Sequence, residues 1–154
     1  MATSTSRRPP NAVSSLLLKV TPARVPRDLL VRARLSSDDA EYRDRPAIVI
    51  QAPAGFGKTA LLAQWRREHL AHGTIVAWVS AQDEDDPQRF VQCLALAVRV
   101  GAGRPTFGHT LLEGAAPAGL EGATTWLAEV AQSALDVVLM IDEADRLPAP
   151  ARDA

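Results

Sequence analysis

Cysteine is all but missing from this 154-residue chain, where Cys93 stands alone. An internal disulfide and a thiolate metal cluster are both excluded, and a reducing compartment is implied. Aromatic residues are also scarce, at 5%, and none is interleaved with the basic residues near the N-terminus, so a base-stacking surface for single strands is not indicated there. No apolar run approaches the roughly 18 residues that a membrane span needs. Arg7-Arg8 invites an export reading, but Leu16-Leu17-Leu18 is cut by Lys19 and Pro22 and is too short for a signal core. A large charge excess is missing too: Lys+Arg 17 against Asp+Glu 18 leaves a formal −1 and argues against a polyanion partner for the whole chain. The chain reads as cytoplasmic. Its charge is uneven, however, because Arg7, Arg8, Lys19, Arg24, Arg27, Arg32 and Arg34 face only Asp28 through residue 35, a net +6 that leaves −7 beyond it. A basic arm of this kind touches phosphates or forms a solvated leader, and the leader fits better.

What the chain does contain is a phosphate-binding pattern. Ala52-Pro53-Ala54-Gly55-Phe56-Gly57-Lys58-Thr59 follows the apolar run Ala47-Ile48-Val49-Ile50 and precedes the helix-like Ala60-Leu61-Leu62-Ala63-Gln64-Trp65. A strand that ends in a glycine-rich turn and feeds a helix gathers backbone N–H groups at one spot, where the helix dipole adds to them. Residues 52–60 are therefore expected to cradle a nucleotide's phosphates. Lys58 is expected to reach the β and γ phosphates and to act in catalysis, and the Thr59 hydroxyl to ligate Mg²⁺. Ala52 departs from the strict G-x-x-x-x-G-K-[ST] pattern, with a small residue in place of glycine.

A second element joins it. Val137-Val138-Leu139-Met140-Ile141 is an unbroken apolar run, as a parallel strand buried on both faces requires, and it ends in Asp142-Glu143. Ligands bind at the carboxyl ends of strands in open α/β sheets. Asp142 is expected to hold the Mg²⁺ shell, and Glu143 to polarise the water that attacks the γ-phosphate. With a nucleoside triphosphate and Mg²⁺ bound, the pair points to hydrolysis as well as binding.

The remaining organisation is coarser. Residues 1–13 read as a disordered leader and 14–45 as a pre-loop segment in which an extended approach precedes a short helix. Residues 46–147 read as a partial core and 148–154 as a tail. A helix is expected over 58–71 with Leu61, Leu62 and Trp65 inward and Gly73 as its C-cap, then a strand over 74–80. Asp83-Glu84-Asp85-Asp86 lacks Ca²⁺-loop spacing, so Asp86 is expected to cap a helix that Pro87 opens, with Phe90, Leu94 and Val98 inward. Residues 101–119 read as a loop with one helical turn near 110–113, and 124–134 as a helix with Trp126, Leu127 and Val130 on its apolar face. His69 and His72 sit where positive charge is favoured at a helix end. The predicted fold class is α/β, a three-layer P-loop NTPase with a mainly parallel sheet, incomplete, with about three core strands.

With these motifs in place, the sequence resembles the N-terminal ATPase module of the large MalT-like, LuxR-type transcription activators, which belong to the STAND ATPases. The resemblance runs from about Leu17 to Leu147. It rests on Lys19-Val20-Thr21-Pro22, Pro26-Arg27 and Arg32-Ala33-Arg34-Leu35, on the phosphate loop with Leu61-Leu62-Ala63-Gln64-Trp65, and on Val76-Ala77-Trp78-Val79-Ser80 with Asp85-Asp86-Pro87-Gln88-Arg89-Phe90. It implies a switch in which an inducer acts on a distal sensor, ADP gives way to ATP, the full-length protein self-associates, and a C-terminal domain absent here binds DNA. It also implies slow hydrolysis and places the segment from Arg27 to Leu35 over the adenine. In NTPases of this class a further strand inserts between the Asp-Glu strand and the phosphate-loop strand. The chain ends at Ala154 before it, so a fragment without efficient turnover of its own is expected.

Three other readings stand beside this one. Asp142-Glu143-Ala144-Asp145 spells a DEAD-box helicase motif, but the acidic Ser80–Asp86 stretch occupies the place of an RNA-contacting segment. An AAA+-type ATPase that assists DNA transposition or loading shares the phosphate loop and the acidic strand. The third is a binding module that never turns nucleotide over.

Overall fold

The computed structural model describes residues 12–24, 28–113 and 117–149. Its elements are α1 (Ala12–Lys19), a 3₁₀ turn at Ala33–Leu35, α2 (Lys58–Ala71), β1 (Ile75–Ser80), α3 (Pro87–Ala102), α4 (His109–Leu112), α5 (Gly119–Gln132), β2 (Val137–Asp142) and a 3₁₀ turn at Ala144–Arg146. The two strands are parallel neighbours, in register from Ile75 opposite Val137 to Ser80 opposite Asp142. Parallel partners need a long crossover, which α3 to α5 supply.

Successive strand side chains point to opposite faces, and here both faces are apolar. Ala77, Val79, Val137 and Leu139 join the cluster built with α1, α3, α4 and α5, whose buried members include Leu16, Val91, Val98 and Trp126. Val76, Trp78, Val138 and Met140 join the opposite cluster with Leu61 and Trp65 of α2. Helices therefore cover the small sheet on both sides, and the α2 side also receives Leu35, Tyr42 and Ile50 from the segments before the helix.

Local chemistry sets the helix ends. Asp86 accepts a 2.7 Å hydrogen bond from the Arg89 N–H, Pro87 occupies the first turn, and Gly103 closes α3 at φ 62°. Gly73 follows α2 at φ 79°, one residue beyond the cap, which is His72 and not Gly73 as expected. Cys93 is fully buried on α3, and burial pushes its thiol up to about 11, so it serves as packing and not as a nucleophile.

Several expectations are corrected. Ala47–Gln51, expected as the first core strand, forms no ladder, so the described sheet has two strands and not three. Its residues and those of β2 line the same cleft of about 1530 Å³. Ladder partners must lie within about 4.9 Å of each other, and a run of β-branched residues becomes a strand only by pairing. Val49 accordingly stays 89% exposed. Helix α1 already includes Ala12 and Val13, where a leader was expected, and it comes before the irregular stretch instead of after it. Residues 1–11, and the tail from 150 onward, lie outside the described residues. Helix α5 begins at Gly119, five residues early, and Leu127 faces outward at 59% exposure while Trp126 and Gly122 are buried.

Sequence reading also missed a buried ion pair. Lys19 at the end of α1 and Asp85 in the loop after β1 are in direct contact with almost no solvent access. Asp85 further accepts the Gln82 N–H at 2.9 Å and lies 3.5 Å from Arg89 Nε. The acidic run 83–86 is thus part buried pair and part cap, and among the described residues no group of His, Cys, Asp and Glu is arranged to hold a metal ion. No described helix is long and apolar enough to cross a membrane.

Candidate functional site

The site is built where α2 begins. Gly55 (φ 81°) and Gly57 (φ 77°) both adopt left-handed backbone, which lets the chain turn sharply from residues 52–54 into the helix. Gly57 is the N-cap, and the first intrahelical bond runs from Leu61 N–H to Gly57 O at 3.0 Å. The N–H groups of Lys58, Thr59 and Ala60 precede that bond, so the helix offers them, with its dipole, to whatever occupies the loop. Lys58 folds back over the turn and donates from Nζ to the carbonyls of Ala52 (2.8 Å) and Pro53 (3.3 Å).

Strand β2 delivers the acidic partner. Asp142 is its last residue, only 7% exposed, and its Oδ1 accepts hydrogen bonds from Thr59 Oγ1 and from the Glu143 N–H, both at 3.1 Å. Residues 83 positions apart are thus brought into contact at the mouth of the loop. Ala52, Lys58, Asp142 and Glu143 line one cleft. Glu143 takes left-handed backbone at φ 56°, unusual for a residue with a side chain, and its half-exposed carboxylate lies 3.7 Å from Arg146.

A second, smaller cleft of about 290 Å³ flanks the loop, at the lower end of the range for small-molecule sites. Arg32, Tyr42, Ile50, Phe56, Leu61 and Trp65 contribute to its walls. Of the pre-loop residues that resemblance placed over the base, Arg32 and Leu35 reach this cleft, while Arg27 lies outside the described residues. The donor set suits a magnesium nucleotide. An ammonium satisfied for now by two carbonyls, a hydroxyl and carboxylate in contact, and two positive-φ glycines beside unpaired helix N–H groups match the needs of phosphate oxygens and a hard cation. Thr59 and Asp142 would hold the ion, and residues 52–60 the phosphates.

Sequence reading missed Gln64 and Glu68, which hold the segment that flanks this site. Gln64 is 4% exposed between the apolar Leu61 and Trp65 positions, and a polar residue on the inward face of an amphipathic helix was the signal available.

A family profile described as an AAA domain matches residues 41–153, which covers the loop, the sheet and the acidic strand. The chain belongs to that family. This AAA domain is also similar to the serine/threonine-protein kinase PknK of Mycobacterium tuberculosis, 33% identical over 124 residues, 77% of this chain and 11% of PknK. The HTH-type transcriptional regulator MalT of Serratia proteamaculans is 32% identical over 75 residues, 48% of this chain and 8% of MalT. MalT of Yersinia enterocolitica is 37% identical over 65 residues, 42% of this chain and 6% of that protein. The chain thus spans about a tenth or less of the length of these curated relatives. No solved structure matches. The coarse reading is therefore an AAA-type ATPase domain with partial similarity to MalT regulators.

Proposed function

We propose that this domain is the ATP-binding switch of a MalT-like, LuxR-type STAND regulator, with Mg²⁺ held between Thr59 and Asp142 and the phosphates on residues 52–60. The observation that carries it is the 3.1 Å contact between Thr59 and Asp142, which joins the phosphate loop to the acidic strand. Lys58 neutralises charge on the terminal phosphates, and Glu143 orients the attacking water. With its carboxylate beside Arg146 and half exposed, Glu143 is poorly committed to that task, so hydrolysis is slow, on the order of 10⁻³ s⁻¹ as in unassisted GTPases.

The relatives support control over any one output. PknK and MalT are named for different activities, and this chain carries neither the H-R-D nor the D-F-G motif of a protein kinase. What it shares with both fits an ATP-dependent control element. In that reading self-association and DNA binding belong to the full-length regulator, and the domain acts in the cytoplasm.

A switch needs two states with different nucleotide contacts. Amide hydrogen exchange of the purified chain with ADP and with a slowly hydrolysed ATP analogue should differ over 142–146 and in the phosphate loop. Identical protection by the two nucleotides would contradict the switch. Loss of the slow turnover in Glu143→Gln, with binding retained, would support its place in hydrolysis.

A further inference from the structure

Side chains of α2 hold the backbone of the stretch from Arg32 to Ser37. Gln64 clamps the Arg32 peptide from both sides, accepting its N–H at Oε1 (2.8 Å) and donating from Nε2 to its carbonyl (3.3 Å). One residue on, Trp65 Nε1 donates to the Leu35 carbonyl at 2.6 Å. One turn on, Glu68 Oε2 accepts the Ser37 N–H (2.7 Å) and hydroxyl (2.6 Å), and Glu68 Oε1 accepts Gln64 Nε2 (2.9 Å). Residues 64, 65 and 68 share one helix face, so the strap from Arg32 to Ser37 lies along the helix whose N-terminus is the phosphate loop.

That strap presents one side chain to the loop. Arg32 Nη2 donates to the Phe56 carbonyl at 3.1 Å. It also packs against Gly57 so closely that a Cβ built there would meet Nη2 at 2.6 Å. Glycine is required at 57 for its positive φ, and the guanidinium, the far end of a flexible side chain, fills the space a Cβ would take. The tip of the loop is pinned from outside by a cation whose own backbone is fixed by a buried amide on the same helix.

We propose that Arg32 is a positioning residue for the phosphate loop. Through Phe56 it holds residues 55–57 in the turn that receives the β and γ phosphates, and Gln64 and Glu68 hold Arg32 in place. The role rests on the nucleotide-binding reading for its consequence, and not for its geometry.

Two measurements separate the two. In the nucleotide-free chain, Arg32→Ala should raise amide exchange at Phe56 and Leu61, whose N–H groups donate to the Pro53 and Gly57 carbonyls of the loop, by about tenfold, as expected when a hydrogen bond worth roughly 1.4 kcal/mol is lost, while exchange over β1 and β2 stays unchanged. Gln64→Met should do the same, and adding it to Arg32→Ala should bring little more, since both act through one contact. Arg32→Lys, which keeps a charged donor, should recover part of the protection. Titration with ATP, ADP and AMP should then show ATP and ADP weakened about tenfold in Arg32→Ala and AMP little affected. Unchanged loop exchange in Arg32→Ala would overturn the positioning role whether or not nucleotide binds. Equal loss for all three nucleotides would overturn it in favour of a contact with base or sugar. Raised loop exchange in a chain that binds no nucleotide would leave Arg32 as the loop's brace and remove the nucleotide reading instead.

Discussion

Glu68 carries a negative charge into a half-buried position on α2, and the balance there decides how the chain responds to acid. Burial alone would raise its carboxyl, but the Ser37 hydroxyl, the Gln64 amide, the Ser37 N–H and the Ser36 hydroxyl outweigh it and hold the group below its ordinary 4.5. A carboxyl depressed in the folded state adds stability above its unfolded pKa, and that part is lost as pH falls through the folded one. Stability should therefore drop below about pH 4.5. Urea midpoints measured from pH 6 to pH 3 should fall less steeply for Glu68→Gln than for the parent chain. Parallel curves would contradict this role for the carboxylate.

Among the elements, the start of α3 was the most legible, because Asp86-Pro87 marks it with residues chosen for backbone reasons, whereas residues 101–119 read as a loop and α3 runs on to Ala102 before Gly103 closes it. Its inward residues Phe90, Leu94 and Val98 were legible, and its close approach to the sheet was not. Gly101, near its end, passes so close to β1 that a Cβ would lie 2.5 Å from the Val76 carbonyl oxygen, a backbone atom held in the sheet. Gly101→Ala would gain about 1 kcal/mol of helix propensity, yet the forced shift costs about 1–3 kcal/mol. A net loss near 1 kcal/mol should appear as a lower urea midpoint at unchanged slope, and a stabilised variant would show that α3 sits farther from the sheet. Helix α5 starts at Gly119, ahead of the expected 124, and takes Gly122 inside it. A Cβ at Gly122 would meet the Pro117 carbonyl at 2.5 Å and Val91 at 3.1 Å, so it is glycine for contact and not for a turn. Ala47–Gln51 failed in the other direction, since its composition signals a strand and no described partner makes it one.

Across the whole molecule, the site was legible where chemistry is local and hidden where it depends on distant residues. The phosphate loop and Asp142-Glu143 each announce themselves over a few positions, and the structure brings Thr59 and Asp142 into contact. Arg32 and the Lys19–Asp85 pair depend on partners 24 and 66 positions away and carry no local signature. That pair fastens α1 to the loop after β1, and this loop is tied in turn to the site strand, since Ala81 N–H donates to the Asp142 carbonyl at 2.9 Å. Removing one partner of a buried pair leaves an uncompensated charge, so Lys19→Met should cost about 3 kcal/mol. Denaturant unfolding will read it, and a change under about 0.5 kcal/mol, the range of ordinary surface substitutions, would mean that water or Arg89 already satisfies Asp85.

The central claim is that the loop at 52–60 holds the phosphates of a magnesium nucleotide with Asp142 beside it. Calorimetric titration of the purified chain with ATP, with and without Mg²⁺, tests it most directly when repeated on Lys58→Ala and Asp142→Ala. The account predicts one site per chain, an affinity that falls about 10- to 100-fold in Lys58→Ala, as the loss of charge-assisted hydrogen bonds requires, and a magnesium dependence that disappears in Asp142→Ala. ATP binding that is equally strong in the parent chain and in Lys58→Ala, or no binding to the folded parent chain at all, would contradict it.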